Sequence, residues 1–198
     1  MNIKEEYNKR KFIIKKRLKE FSKIKEENYF YEACFCILTP QSSARQAWKL
    51  ILELKKADFL NEEINPGKIL NKRVRFYNNK SRYLLELKKK WFLIKSGLNN
   101  KNQHEIRKFL VENVKGYGYK EASHFLRNIG YKNLAILDRH ILKNLIKLNV
   151  IKKIPKNLAK KEYIKIEDKF KAFSKKINIP IDELDLLFWS QETKEVFK

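Results

Sequence analysis

Apolar residues recur three and four positions apart along nearly the whole chain, and this spacing places them on one face of an α-helix. Only 4 prolines and 5 glycines interrupt the pattern in 198 residues. Both observations favour an all-α protein. Helices are predicted over about residues 3–25, 28–38, 42–56, 79–97, 104–114, 119–130, 139–151, 160–177 and 181–198.

A few residues mark where the predicted helices begin and end. Pro40 follows an apolar helix and is expected at or near the first position of the next one, where its missing N–H costs little. Gly97 and Gly130 are expected to end the helices before them, and Pro180 opens a last helix expected to reach the chain end. No repeat or low-complexity linker divides residues 1–198, so we expect a single unit in which any lobes arise from packing.

The charge of the chain points to a partner. A formal net charge of +23 exceeds what solubility requires, although a genome rich in A·T pairs would also favour lysine. Lysine and arginine that neutralise phosphates release condensed counterions, so a nucleic acid is the expected partner. With 43% hydrophobic residues and 13% aromatic residues the chain has enough apolar content to fold.

Cysteine and histidine give no sign of a metal site. Cys34 and Cys36 lie in an apolar run and are expected to be buried thiols, because two cysteines cannot supply a four-thiolate zinc or iron–sulfur site. The histidines, His104, His124 and His140, are scattered and are expected to have surface or capping roles. We therefore expect neither a metal nor another cofactor.

The beginning of the sequence and its hydropathy bear on location. The first twenty residues lack a continuous apolar segment, and no run approaches 18 apolar residues. We expect a cytoplasmic protein that neither enters a membrane nor is secreted.

The segment VKGYGYKEA, residues 114–122, places two of the few glycines two positions apart between two predicted helices. Gly116 and Gly118 would allow positive φ and close backbone approach in a tight αα-hairpin. The N–H groups at the start of the second helix would then lie beside Lys115 and Lys120, where a phosphate fits. Taken alone, such a Gly-x-Gly turn is equally compatible with a purely structural role.

This run resembles the helix-hairpin-helix signature of the HhH-GPD DNA glycosylase superfamily. Eighteen residues after Lys120, the segment LDRHI at 137–141 resembles the superfamily segment that carries an essential aspartate, here Asp138. Lys115 stands where the family usually has proline. The resemblance implies a two-lobed helical fold with the active site between the lobes, a helix-hairpin-helix over about 104–130, and duplex DNA as the partner.

The resemblance assigns two catalytic residues. Lys120 would attack C1′ of a flipped nucleotide and form a Schiff base, and the Asp138 carboxylate would stabilise the developing positive charge. Without the resemblance, Lys120 would be a solvated lysine that binds phosphate and Asp138 would be a helix N-cap, a role compatible with catalysis. DNA contacts are expected at Lys115, Gly116, Gly118 and Arg139, and Arg139 alternatively orients Asp138.

Within the superfamily, the chain lacks the four-cysteine cluster of the iron–sulfur branches. The stretches ILTPQSSARQAW and FWSQETKEVFK are similar to the second type of archaeal and bacterial 8-oxoguanine DNA glycosylase/AP lyase. That likeness implies excision of 8-oxoguanine followed by β-elimination. The free main-chain carboxylate of Lys198 would accept a hydrogen bond from the N7–H that guanine lacks. Trp189 would stack on the flipped base or belong to the core. Gln41 and Ser42 would contact the base or the gap left by flipping, or would cap a helix.

Two alternatives fit part of the pattern. A lyase-active relative that excises oxidised pyrimidines or cleaves only abasic sites would carry the same lysine and aspartate. A noncatalytic helix-hairpin-helix module would keep the glycines and the basic surface alone. We expect a monomeric prokaryotic protein associated with the nucleoid. The acids Asp182, Glu183 and Asp185 follow Pro180 and are expected to complement a helix dipole rather than to act in catalysis.

Overall fold

The computed structural model describes residues 3–99 and 102–198, and within these ranges every regular element is a helix. The prediction of an all-α protein is confirmed. A short 3-10 helix at Glu26–Asn28 precedes the second α-helix. The α-helices are α1 Ile3–Phe21, α2 Tyr29–Leu38, α3 Ala44–Lys56, α4 Pro66–Leu70, α5 Tyr77–Gly97, α6 Gln103–Asn113, α7 Tyr119–Asn128, α8 Arg139–Lys147, α9 Lys160–Ile177 and α10 Ile181–Thr193.

The start of α3 differs from the prediction. The helix begins at Ala44, and Ser43 is its N-cap, with its hydroxyl accepting a hydrogen bond from the Gln46 N–H at 3.4 Å. A serine in extended conformation satisfies an N–H group of the first turn, which a proline cannot do. The prediction that Pro40 lies at or near the first helical position is therefore wrong.

Gly97 ends α5, as predicted, but the reason is packing. A Cβ atom at this position would lie 2.2 Å from Cε1 of Phe109, which belongs to α6. Any side chain would displace that ring. The glycine thus lets the Phe109 ring lie directly against the last turn of α5.

One compact unit comprises Lys25–Phe125. Its centre is α2, which packs against α3 and α5 and is buried over almost its whole length. The Phe30 ring contacts the rings of Phe59 and Trp91 at centroid distances of 5.9 and 5.3 Å. Aromatic pairs at such distances stabilise a core beyond the burial of their area.

Two predictions about α2 and its surroundings have different outcomes. Cys34 and Cys36 are free and fully buried, as expected, and burial raises the pKa of the Cys34 thiol well above its usual value.

The prediction of a surface or capping role for His124 is wrong. His124 is 9% exposed, and its ring lies 5.7 Å from the Phe35 ring, because its position in α7 faces the apolar side of α2.

The other unit contains Leu126–Lys198 together with α1. Here α10 is central and packs against α1, α8 and α9. Phe170 of α9 stacks on Phe188 of α10 at a centroid distance of 6.1 Å. None of the helices in residues 3–99 and 102–198 combines the length and apolar character needed to cross a bilayer.

The acids at the start of α10 have specific partners in addition to the helix dipole. Asp182 accepts a hydrogen bond from the Asn133 N–H at 3.0 Å, and Glu183 accepts one from the Tyr7 hydroxyl. The Asp185 carboxylate lies 3.3 Å from the Arg127 guanidinium, and both side chains are buried. These contacts tie α10 to α1, to the loop before α8 and to the end of α7.

Asp185→Asn is expected to change how stability depends on pH. Burial raises the pKa of Asp185 to about 7; Arg127 opposes this shift, and Asp138 and Asp182 reinforce it. Above about pH 4 the unfolded chain releases a proton that the folded chain retains, so the free energy of unfolding falls as pH rises from about 4 to about 7. The variant lacks this titration. Its stability relative to the parent should rise by on the order of a few kcal/mol across that window and stay level above it.

Denaturant unfolding of the parent and the variant between pH 4 and pH 8 measures this difference. Asp168→Asn is the matched control, because Asp168 is an exposed acid on α9. A stability difference between parent and Asp185→Asn that does not change with pH would contradict the assignment.

Candidate active site

The turn between α6 and α7, residues 114–118, is fixed from both sides. Gly116 has a φ of +89°, and a Cβ atom there would lie 2.6 Å from Cδ2 of Tyr83. Both its conformation and its surroundings therefore require glycine. The next residue, Tyr117, is buried and donates its hydroxyl hydrogen bond to the Ala33 carbonyl at 3.0 Å. The turn is thereby anchored to α2.

The start of α7 carries a carboxylate of its own chain. The Gly118 N–H donates to Oε2 of Glu121 at 3.1 Å, and Oε1 of the same carboxylate lies 2.9 Å from Nζ of Lys120. An acid at this point of a helix satisfies an N–H group and complements the dipole. The Gly118 N–H that the sequence suggested for phosphate binding therefore already has a partner.

Lys120 lies on the first turn of α7, with 27% of its side chain exposed. The charge of Lys120 acts on a second lysine, Lys80. Burial, and then the charge of Lys120, lower the pKa of Lys80 to about 8. Lys115, by contrast, is exposed on the turn. The unit Lys25–Phe125 thus brings together a half-buried amine, a carboxylate and a buried lysine.

Gln41 and Ser42 lie in the turn before α3 rather than at its cap. The Ser42 N–H donates to the Thr39 carbonyl at 3.0 Å, which closes a four-residue turn with Pro40 second and Gln41 third. Gln41 is exposed and has a φ of 54°, where glycine is usual and another residue costs about 1–2 kcal/mol. The Ser42 hydroxyl accepts a hydrogen bond from Nζ of Lys80 at 2.9 Å.

Asp138 is the N-cap of α8 in the other unit. Its Oδ1 accepts a hydrogen bond from the Ile141 N–H at 2.8 Å, and its own N–H donates to the Ile136 carbonyl at 2.8 Å. These two bonds fix the orientation of a half-buried carboxylate. Arg139, the first residue of α8, is exposed. The cap uses Oδ1 of Asp138, and Oδ2 takes no part in this hydrogen bond.

The end of the chain corrects another prediction. α10 ends at Thr193 and does not reach the chain end, because Lys194 adopts a left-handed conformation with a φ of 64°. The chain then turns, and the ring of Phe197 lies 6.5 Å from that of Trp189. Trp189 and Lys198 are both half-buried. The residues expected to recognise the base thus include a tryptophan that is neither fully core nor fully exposed.

Sequence reasoning missed Lys80, although the pattern contained a signal. The residue is 4% exposed, and it occupies a position of α5 at which the helical period calls for an apolar side chain. A lysine on a buried stripe needs hydrogen-bonding partners, so such a position is a candidate for a specific role. The other buried members of the stripe are Leu84, Leu87, Trp91 and Ile94.

A second missed feature lies just before α5. Phe76 is 52% exposed and has a φ of 57°, a conformation that is rare for a bulky residue. The Arg75 guanidinium lies 5.1 Å from the centre of its ring. Strain of this kind is retained mainly where the surroundings enforce it, often near functional sites.

Within residues 3–99 and 102–198, no group of three or more His, Cys, Asp or Glu side chains is arranged to hold a metal ion.

Comparison with known proteins gives a consistent result along the chain. The family model described as 8-oxoguanine DNA glycosylase matches residues 14–179. A Fusobacterium nucleatum protein named 8-oxoguanine DNA glycosylase/AP lyase is 47% identical over 93% of this chain and 90% of its own length. A Methanocaldococcus jannaschii protein with the same name is 40% identical over 95% of this chain and 93% of its own length.

Solved structures agree with these relatives. The Methanocaldococcus jannaschii 8-oxoguanine glycosylase/lyase in complex with DNA containing 8-oxoguanine superposes with a TM-score of 0.89 at 34% identity, covering 100% of both chains. The 8-oxoguanine DNA glycosylase of Thermotoga maritima has a TM-score of 0.86 at 30% identity, covering 96% of this chain and 94% of its own.

Proposed function

The chain belongs to the 8-oxoguanine DNA glycosylase family, and from this membership we propose that it excises 8-oxoguanine from duplex DNA and cleaves the strand at the abasic site. The observation that carries the proposal is the full-length agreement with a glycosylase/lyase in complex with 8-oxoguanine DNA. The net charge of +23 supports a polyanionic partner.

Lys120 is the nucleophile. Its neutral amine attacks C1′ of the flipped nucleotide as the bond from C1′ to N9 of the base breaks, and the base leaves with a proton. The C1′–O4′ bond of the sugar then breaks, O4′ takes up a proton as a hydroxyl group, and the bond from C1′ to Nζ becomes the protonated imine. Removal of a 2′ proton then expels the 3′ phosphate, and hydrolysis of the imine frees the lysine. Lys120 lies half-buried on the first turn of α7, and its amine must leave the Glu121 carboxylate, 2.9 Å away, and lose its proton before it attacks.

Asp138 stabilises the positive charge that develops on the sugar and assists proton transfer. The hydrogen bond from the Ile141 N–H holds its carboxylate in one orientation, so little reorganisation is needed during the reaction. A residue that both caps a helix and acts in catalysis gains its position from the cap.

Recognition of the base rests on an acceptor for N7–H, because this proton distinguishes 8-oxoguanine from guanine. The main-chain carboxylate of Lys198 provides that acceptor, and the Trp189 ring stacks on the purine. Gln41, exposed on its turn, contacts the base or fills the gap left by flipping, and Ser42 holds the turn.

Contacts to the phosphates come from the hairpin and from the start of α8. Lys115 and Arg139 are both exposed and carry the charge for such contacts. Gly116 and Gly118 contribute by shaping the turn that carries Lys115, since the Gly118 N–H is already bonded to Glu121.

Single-turnover excision on a duplex with 8-oxoguanine opposite cytosine tests the proposed function. A duplex with guanine at the same place is the control, and borohydride reduction traps the imine. We expect excision and a trapped adduct on the damaged duplex alone. An adduct only on a preformed abasic duplex would reduce the proposal to lyase activity, and DNA binding without turnover would favour a noncatalytic helix-hairpin-helix module.

Removal of Lys198 is expected to lower 8-oxoguanine excision by about 10- to 100-fold, because the site loses its acceptor for N7–H. Cleavage of a preformed abasic duplex needs no base recognition and should fall far less. Lys169→Ala, at an exposed lysine of α9, is the matched control. Equal loss of both activities on removal of Lys198 would contradict its role in base recognition.

A further inference from the structure

Lys80 is a buried lysine whose ammonium group is fully used by the protein. Its Nζ donates to the Leu38 carbonyl at 2.7 Å, to the Pro40 carbonyl at 2.8 Å and to the Ser42 hydroxyl at 2.9 Å. An ammonium group has three donors, so this set satisfies it completely. All three acceptors belong to five consecutive residues, which Lys80 therefore holds together.

The first acceptor, the Leu38 carbonyl, explains why a cation is favourable at this position. Leu38 is the last residue of α2, and the carbonyl groups at a helix end lack partners within the helix. They also form the negative end of the dipole, which a cation stabilises. Lys80, a residue of α5, thus caps the C-terminal end of α2 and replaces the water that would otherwise solvate its carbonyl groups.

The third acceptor extends the contact to the segment before α5. The Ser42 hydroxyl oxygen also accepts a hydrogen bond from the Arg75 N–H at 3.1 Å. Ser42 therefore joins the turn at Thr39–Ser42 to the loop that carries the exposed Phe76. Between the residues bound by Lys80 lies Gln41, exposed and left-handed, a conformation that persists only where neighbours enforce it.

The ammonium of Lys80 also lies within the electrostatic reach of Lys120. Burial and the charge of Lys120 lower its pKa to about 8. The three hydrogen bonds that the ammonium donates favour its charged form. At neutral pH Lys80 is therefore mainly an ammonium, and all three of its donors remain in use.

We propose that Lys80 is a positioning residue for base excision, which closes the end of α2 and holds the turn so that Gln41 is presented to the DNA. The proposal rests on the proposed function. Lys80 does not touch the substrate; it acts through Gln41. Its effect should therefore depend on the presence of the Gln41 side chain.

A double-mutant cycle with Lys80→Met and Gln41→Ala tests this dependence. Methionine keeps the length of the side chain and removes the three donors. Single-turnover excision from the 8-oxoguanine duplex should fall about 10- to 100-fold in Lys80→Met, the range typical of a displaced contact residue. The double variant should be no slower than the slower single variant, because residues that act as one unit are not additive. Lys89→Met, an exposed lysine of the same helix, is the matched control.

Strand cleavage at a preformed abasic site is the second readout. A merely structural role would lower excision and cleavage by the same factor, whereas a positioning role for Gln41 should lower excision by the larger factor. Excision by Lys80→Met at the parent rate would overturn the proposal. So would single effects that multiply in the double variant, or equal loss of both activities.

If Lys80→Met does not fold, a second variant still tests the proposal. Ser42→Ala removes one of the three acceptors and keeps the other two, and it enters the same cycle with Gln41→Ala with the same expected result. If the parent protein shows no excision at all, the proposed function fails and the Lys80 proposal fails with it. If the parent excises the base, only the variants decide about Lys80.

Discussion

Lys120→Gln is expected to give no borohydride-trapped adduct and to lower excision of 8-oxoguanine by at least about 10³-fold. An amide nitrogen does not form an imine, so the covalent path is lost while the length of the side chain is nearly kept. The fold should tolerate the change. Glu121 still accepts from the Gly118 N–H and keeps the start of α7 in place.

Trapping on damaged and abasic duplexes, at enzyme concentrations above the DNA concentration, measures this effect. Lys108→Gln is the matched control, because Lys108 is an exposed lysine on the preceding helix and its removal changes the charge equally. An adduct that persists in Lys120→Gln would show that another amine is the nucleophile. Loss of the adduct in both variants would point to weakened DNA binding instead.

Asp138→Asn is expected to separate the proposed catalytic role of this residue from its role as the N-cap of α8. Asparagine caps helices as well as aspartate does, so the bond from the Ile141 N–H should remain and stability should change by less than about 1 kcal/mol. The charge, however, is lost. Without a carboxylate to stabilise the positive charge on the sugar and to assist proton transfer, excision should fall by about 10²- to 10⁴-fold.

Thermal unfolding and single-turnover excision, measured on the same preparations, check this expectation. Asp138→Ala is the companion variant, since it removes both the cap and the charge and should lose about 1 kcal/mol more stability than Asp138→Asn. Excision near the parent rate in Asp138→Asn would restrict the residue to a structural role.

The sequence predicted what depends on local rules. Helical periodicity placed the helices, and the Gly-x-Gly spacing located the turn at which Gly116 takes a positive φ. The cap by Asp138 followed from an acid directly before an amphipathic helix. Each of these features is decided by residues that are close in the chain.

The features that the sequence did not predict depend on distant partners. The helical period places Lys80 on the buried stripe of α5, but its partners, the carbonyls of Leu38 and Pro40, lie about forty positions away and are not indicated by the sequence. His124 lies against Phe35, about ninety positions away, and nothing near it in the chain indicates this contact. The end of α10 at Thr193 depends on one left-handed lysine, for which sequence gives only a weak signal.

The two buried thiols have a consequence for an enzyme that acts on oxidised guanine. The oxidants that create its substrate also attack sulfur, and they attack the thiolate form of cysteine fastest. Cys34 and Cys36 are the 2 cysteines of the sequence; both are shielded from solvent, and the raised pKa of Cys34 keeps it protonated. A thiol reagent should accordingly label the native chain far more slowly than the unfolded one. The proposed catalytic residues, Lys120 and Asp138, are of types that these oxidants largely spare, so we expect the activity to persist under the oxidising conditions that create the substrate.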